Sequence, residues 1–178
     1  MLADADIRRL LGCINNPAHR TCFAVMYACG LRTSEAATLE IAAIDGTNQL
    51  LRIIGKGNKE RLVPLPEPML LSLRQLWKTH RNRRWLFPNR AGTNPIGRGT
   101  LIRTFSAARA AADISCKPTP HCLRHSYAAR LTENHVDTAV IKILLGHADI
   151  ATTTIYTHLT EPTRVYLKKI VNTVMAGL

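Results

Sequence analysis

The chain has 178 residues, of which 46% are hydrophobic, the size and balance of one globular domain able to bury a core without disulfide staples. Twenty-four Lys and Arg against 12 Asp and Glu give a net charge of +12, which points to a polyanionic partner, nucleic acid before a membrane surface. No apolar run is long enough to cross a bilayer and no secretory leader opens the chain, so a cytoplasmic protein is expected. The five cysteines, Cys13, Cys22, Cys29, Cys116 and Cys122, lack zinc spacing or an even disulfide set and read mostly as small buried hydrophobes.

Ile7, Leu10, Leu11 and Ile14 recur at helical spacing, with Asp4 or Asp6 as the expected cap. A second helix, about Arg20 to Cys29, is apolar almost all round and therefore central, with Gly30 as its terminator. A third starts in "RTSEAATLEI", capped by Thr33 or Ser34. The pattern then changes to two β-rich runs, Leu50–Ile54 and Arg61–Leu65, around a polar glycine loop that carries Lys56 and Lys59.

Beyond Pro66 and Pro68 comes a helix with Met69, Leu70, Leu73, Leu76 and Trp77 on one side. "KTHRNRRWLFPNRAGTNPIGRG" reads as a basic loop. Helices follow at about Thr100 to Ala112, from Thr119 (cap) and Pro120 onward, and at Thr138 to Leu145 ending on Gly146. A short helix carrying Tyr156 and a last amphipathic one, Pro162 to about Met175, complete the chain. The expected fold is mainly α with a small antiparallel β-sheet, in one domain.

Three short stretches carry chemistry. In "PHCLRH", His121 and Arg124 share a helix face near the positive end of the helix dipole, which suits an oxyanion or phosphate; a solvated basic face is the other reading. In "CGLRTSEA", Arg32 follows a helix-ending glycine and precedes Glu35 by three residues, so it is either a rigidly held ligand-binding arginine or half of a structural ion pair. In "GKGNKER", flanking glycines leave Lys56 unobstructed on a hairpin tip, as a phosphate contact, a proton donor or a plain solvated turn.

Taken in order, "GLRTSE", "IIGKGNKERLVPL", "PHCLRHSYAARL" and "LLGHADIATTTIYTH" closely resemble the catalytic domain of the tyrosine recombinases, the phage-integrase and Xer-type family, over about Ile7 to Leu178. The resemblance implies Tyr156 as the nucleophile that forms a 3′-phosphotyrosyl link. It implies Arg32 and Arg124 as the clamp on the nonbridging oxygens, with His121 and His147 as further phosphate or acid–base groups. Lys56 corresponds to the donor to the departing 5′-hydroxyl, and Glu35 to the support of the first arginine. Of the four tyrosines, Tyr27, Tyr127, Tyr156 and Tyr166, only Tyr156 has a histidine nine residues upstream in the family's arrangement.

That chemistry needs no metal, cofactor or ATP, because guanidinium and imidazole supply the positive charge and the phosphotyrosine keeps the bond energy. Lys59, Arg61, Arg83 and Arg84 are expected to touch DNA. The partner implied is double-stranded DNA, in a homo-tetramer joined through the C-terminal helix, with a monomer or weak oligomer in its absence. A preceding helical clamp domain, usual in the family, is expected to be missing from this chain. A type IB topoisomerase-like nicking and closing enzyme and a non-catalytic DNA-binding remnant are the competing readings.

Overall fold

The computed structural model describes residues 2–55, 60–115, 118–146 and 161–176. Helix α1 (Asp4–Gly12) buries Ile7, Leu10 and Leu11. Its cap is Ala3, not an aspartate; Asp4 lies in the first turn and instead accepts from the Tyr27 hydroxyl at 3.0 Å and from Arg130 Nε at 2.9 Å. Acidic groups there still favour the helix N-terminus.

Helix α2 (Pro17–Cys29) is longer than the sequence pattern suggests, because Asn16 accepts from the amides of Ala18 and His19 and Pro17 occupies the first turn. From Cys22 to Cys29 it is buried except at Ala24, and it packs against α1 and four elements introduced below. Gly30 ends it in the left-handed conformation, φ 62°. Burial pushes the thiols of Cys22 and Cys29 well up, so both act as core hydrophobes.

Helix α3 (Thr33–Ala37) is not capped by Thr33 or Ser34. Glu35, at its third position, accepts from the backbone amide of Arg32, which makes Arg32 the cap residue. After a 3-10 turn, Ile41–Ala43, come three strands, β1 (Ile44–Asp45), β2 (Leu50–Ile54) and β3 (Glu60–Pro64), antiparallel in the order β1-β2-β3. The two-residue β1, which no sequence run announced, pairs Ile44 with Leu51, while β2 and β3 pair Leu51 with Val63 and Ile53 with Arg61. The two-residue alternation sends Leu51, Ile53, Val63 and also Arg61 inward.

Helix α4 (Glu67–His80) takes in Lys78, Thr79 and His80, which the sequence pattern had placed in the following loop; Arg81, at φ 51°, ends it. Helix α5 (Arg98–Ala111) packs on α1 and α3, and α6 (His121–Glu133) starts one residue later than expected, with Pro120 as its cap. Helix α7 (Thr138–Leu145) has the bounds read from the sequence: Asp137 accepts from the Ala139 amide, and Gly146 closes it at φ 66°. The last helix, α8 (Glu161–Ala176), lies in cis against α2, α4, α6 and β3 and buries Leu167, Ile170 and Val171. No helix among the described residues is long and apolar enough to cross a membrane.

Gly30 is the tightest point of this packing. A Cβ there would sit 2.4 Å from Cδ1 of fully buried Tyr127 on α6 and 3.1 Å from Leu145, in a conformation that L side chains resist. Gly30→Ala is expected to lose about 2–4 kcal/mol, the left-handed cost plus overpacking, read as a fall in the urea midpoint with an unchanged slope. A loss below about 0.5 kcal/mol, the size of an ordinary surface change, would contradict the packing described.

A buried arginine cluster and its candidate phosphate site

The helix-ending glycines and the inward face of β3 converge on one carboxylate. Glu35 is 9% exposed. It accepts from Arg32 Nη1 at 2.9 Å and from both terminal nitrogens of Arg61 at 2.8 Å, with Arg124 Nη1 at 3.9 Å. Burial alone would raise its pKa; the Arg61 and Arg32 hydrogen bonds and charges outweigh that and hold it down at about 2.

Three guanidiniums therefore share a single negative charge. Among the described residues, the remainder of their hydrogen bonding comes from carbonyls at the C-terminal ends of two helices. Arg124, 5% exposed, donates to Gly30 O at the end of α2, at 2.7 Å, and to Leu145 O at the end of α7. Arg61 Nε donates to Leu144 O at 2.9 Å, and Arg32 Nη2 to Gly146 O at 3.4 Å. Helix C-termini carry partial negative charge, so they hold cations without neutralising them. Burial first, and then Arg32 and Arg61 outweighing the help of Glu35, bring the Arg124 pKa down to about 10. Among the described residues, the cluster sets three cations against one carboxylate.

Arg32 and His121 open onto a cleft of about 510 Å³ that is also lined by Thr33, Ser34, Arg98 and Thr119. Arg32 has 36% of its side chain exposed, which leaves guanidinium donors facing that space. His121 stands at the start of α6, one turn before Arg124, its ring edge-on to His125 with centroids 5.1 Å apart. Its pKa is lowered, by partial burial first and then by His125, Arg124 and Arg32. An imidazole and guanidiniums bordering one cleft can bind a tetrahedral anion and answer charge that builds on it.

Of the residues singled out in the sequence, Arg32, Glu35, His121 and Arg124 are thus brought together. Lys56, Lys59, His147 and Tyr156 lie outside the described residues. Arg83 and Arg84 do not line this cleft. Arg83 is exposed, while Arg84 donates to Glu40 at 2.9 Å and stacks 4.4 Å from the Trp85 ring. Arg61 requires a correction. Expected at the DNA surface, it is 2% exposed, and each of its guanidinium nitrogens donates inside the protein. The signal was present in the strand period: with Val63 inward, Arg61 two residues earlier faces the same way.

The description "Phage integrase family" matches residues 1–162. The chain is 38% identical over 168 residues to the tyrosine recombinase XerD of Lacticaseibacillus casei, covering 90% of this chain and 56% of that protein. It is 37% identical to XerD of Proteus mirabilis, covering 88% and 54%. The chain spans about half the length of the curated relatives it matches. Among solved structures, the XerA recombinase superposes with a TM-score of 0.74 at 27% identity, over 94% of this chain and 62% of that one. The XerH site-specific recombinase, solved bound to its difH substrate in a pre-cleavage complex, gives 0.73 at 25%, over 93% and 52%. The anion-hungry arginine cluster, the fold and these relatives agree: the chain belongs to the phage integrase family and carries its tyrosine recombinase catalytic-domain fold.

Proposed function

We propose that this chain is the DNA-cleaving and rejoining domain of a site-specific recombinase that acts through a covalent tyrosine link. The observation that carries the reading is the arginine cluster: Arg32, Arg61 and Arg124 gather around Glu35, the one carboxylate that the described residues bring to it, and Arg32 opens from the cluster onto the cleft that His121 also lines. A scissile phosphate is the anion that completes it. Arg32 and Arg124 bind its nonbridging oxygens, and His121 and His147 add donors. The Tyr156 phenol oxygen attacks phosphorus, the bond from phosphorus to the 5′-oxygen breaks, and Lys56 delivers the proton to that oxygen. A phenol with pKa near 10 needs the positive surroundings to react as phenolate. Rejoining runs the same steps backward with a new 5′-hydroxyl, so no external energy source enters.

Exchange between two duplexes, each cut on both strands, calls for a homo-tetramer on DNA. The last helix is the candidate coupling element. Its cis packing buries Leu167, Ile170 and Val171, so moving it onto a neighbour exposes that groove unless another copy's helix fills it. Lys59, Arg83 and the hairpin tip supply backbone contacts outside the cleft.

A library of nicked duplexes with a randomised core, whose cleaved ends diffuse away, tests the chemistry and finds the site together. The chain is expected to form a protein–DNA adduct that survives denaturing electrophoresis, and Tyr156→Phe to form none. Adduct formation by the phenylalanine variant, or none by the wild type with any sequence, refutes the proposal. Plasmid relaxation without exchange between two sites would move the reading to a nicking and closing enzyme.

Its lowered pKa leaves the His121 imidazole neutral at pH 7 before DNA binds. The phosphate favours the imidazolium, so the bound pKa lies above the free one and binding takes up a proton. DNA affinity is expected to rise as pH falls from about 8 to 6, levelling off below the free pKa of this histidine. In His121→Gln that component disappears. Fluorescence anisotropy at constant ionic strength gives both slopes, and identical slopes would remove His121 from the phosphate site.

A further inference from the structure

Arg61 is left without a part in the reaction as described, yet it is the most completely engaged side chain of the cluster. It stands on β3, directly across from Ile53 on β2, so it belongs to the hairpin whose loop carries Lys56. Its two terminal nitrogens meet both oxygens of Glu35 at 2.8 Å, a planar fork that a lysine cannot reproduce. Glu35 in turn fixes Arg32 through its side chain and its backbone amide. Through Nε, Arg61 also holds Leu144 O at the end of α7, three residues before His147 in the sequence.

Gly146 confirms how close this approach is. A Cβ at that position, already left-handed, would lie 3.0 Å from Arg61 Cδ and 3.2 Å from its Nη1. Three separate pieces of chain, the hairpin, the Arg32 turn and the end of α7, therefore meet on one guanidinium. Each either bears or directly precedes a residue assigned to the chemistry above.

We propose that Arg61 is a positioning residue for the cleavage reaction: it sets the β2–β3 strand pair, the Arg32–Glu35 pair and the α7 terminus in a single register, and it does not contact DNA. The inference rests on the function proposed above and adds to it a residue that acts through Glu35 and Leu144. Mispositioning of reacting groups by about 1 Å costs on the order of 10²-fold in rate, while ground-state binding through the remaining phosphate contacts is kept.

Single-turnover cleavage and equilibrium binding of a substrate selected from the nicked library separate the possibilities, using the whole chain and Arg61→Lys, Glu35→Gln and the double variant. Arg61→Lys is expected to cleave about 10²-fold more slowly at saturating DNA, with affinity and salt dependence nearly unchanged. The double variant is expected to be no slower than the worse single one, since both changes break the same link. Unaltered cleavage at saturating DNA overturns the proposal, whether it comes with a lower melting temperature or with weaker binding and a salt slope reduced by about one, the mark of a phosphate contact.

Should Arg61→Lys not fold, hydrogen exchange on the wild type decides. The Arg61 Nε–H is expected to exchange as slowly as core amides, and rapid exchange overturns the proposal. Should the wild type form no adduct, the proposed function falls by itself. The Nε–H resonances of Arg32 and Arg124 then judge Arg61: they shift in Arg61→Lys if it holds them through Glu35, and unshifted resonances count against it.

Discussion

Everything near the cleft depends on one buried carboxylate being shared. Glu35 accepts from Arg32 and Arg61 and lies 3.9 Å from Arg124, so three cations are organised around one anion. A charge removed from water without a partner is expensive, and removing one member of a buried set leaves the others uncompensated. The other donors are met by carbonyls, and the unpaired carbonyls at helix ends supply four of them at close range.

That requirement explains the two left-handed glycines that end helices. Gly30 and Gly146 each stop a helix abruptly, and the carbonyls of Gly30, Leu144, Leu145 and Gly146 all accept from the arginines. A residue with a side chain would end α2 there only by displacing Tyr127, and α7 only by pressing on the Arg61 side chain. The same two residues thus serve backbone geometry, packing and electrostatics. The central position of α2, buried along its C-terminal two-thirds, follows: its end has to reach the middle of the domain.

Much of this was legible in the sequence, and the portions that were not share a cause. Helical periodicity located α1, α2 and α7, and the apolar character of α2 predicted that it would be central. Arg32, Glu35, His121 and Arg124 could be picked out by type and spacing, and the structure gathers them. The errors fall where the first preference yields to a competing partner or period. Asp4 was expected to cap α1, but Tyr27 and Arg130 claim its carboxylate. Thr33 and Ser34 are good caps, but Glu35 reaching back to the Arg32 amide sets the start of α3. Arg61 was judged by its charge, which argues for the surface, when the strand alternation argued for the interior. The strand β1 is too short to leave a period at all, and exists because Ile44 finds Leu51.

An active site could have neutralised these arginines fully with a second carboxylate, and the protein would then fold with less electrostatic strain. The cost would fall on the reaction. A pentavalent phosphate transition state carries more negative charge than the bound diester, and only donors not already satisfied by an anion can stabilise the difference. The Arg124 pKa is brought down to about 10, by burial first and by Arg32 and Arg61 outweighing Glu35, so its described neighbours do not fully compensate this cation. Carbonyl dipoles suit this task better than carboxylates, because they fix a guanidinium in place and leave its charge intact. By this reasoning the helix ends around Gly30 and Gly146 are as much a part of the proposed phosphate site as the side chains that line it.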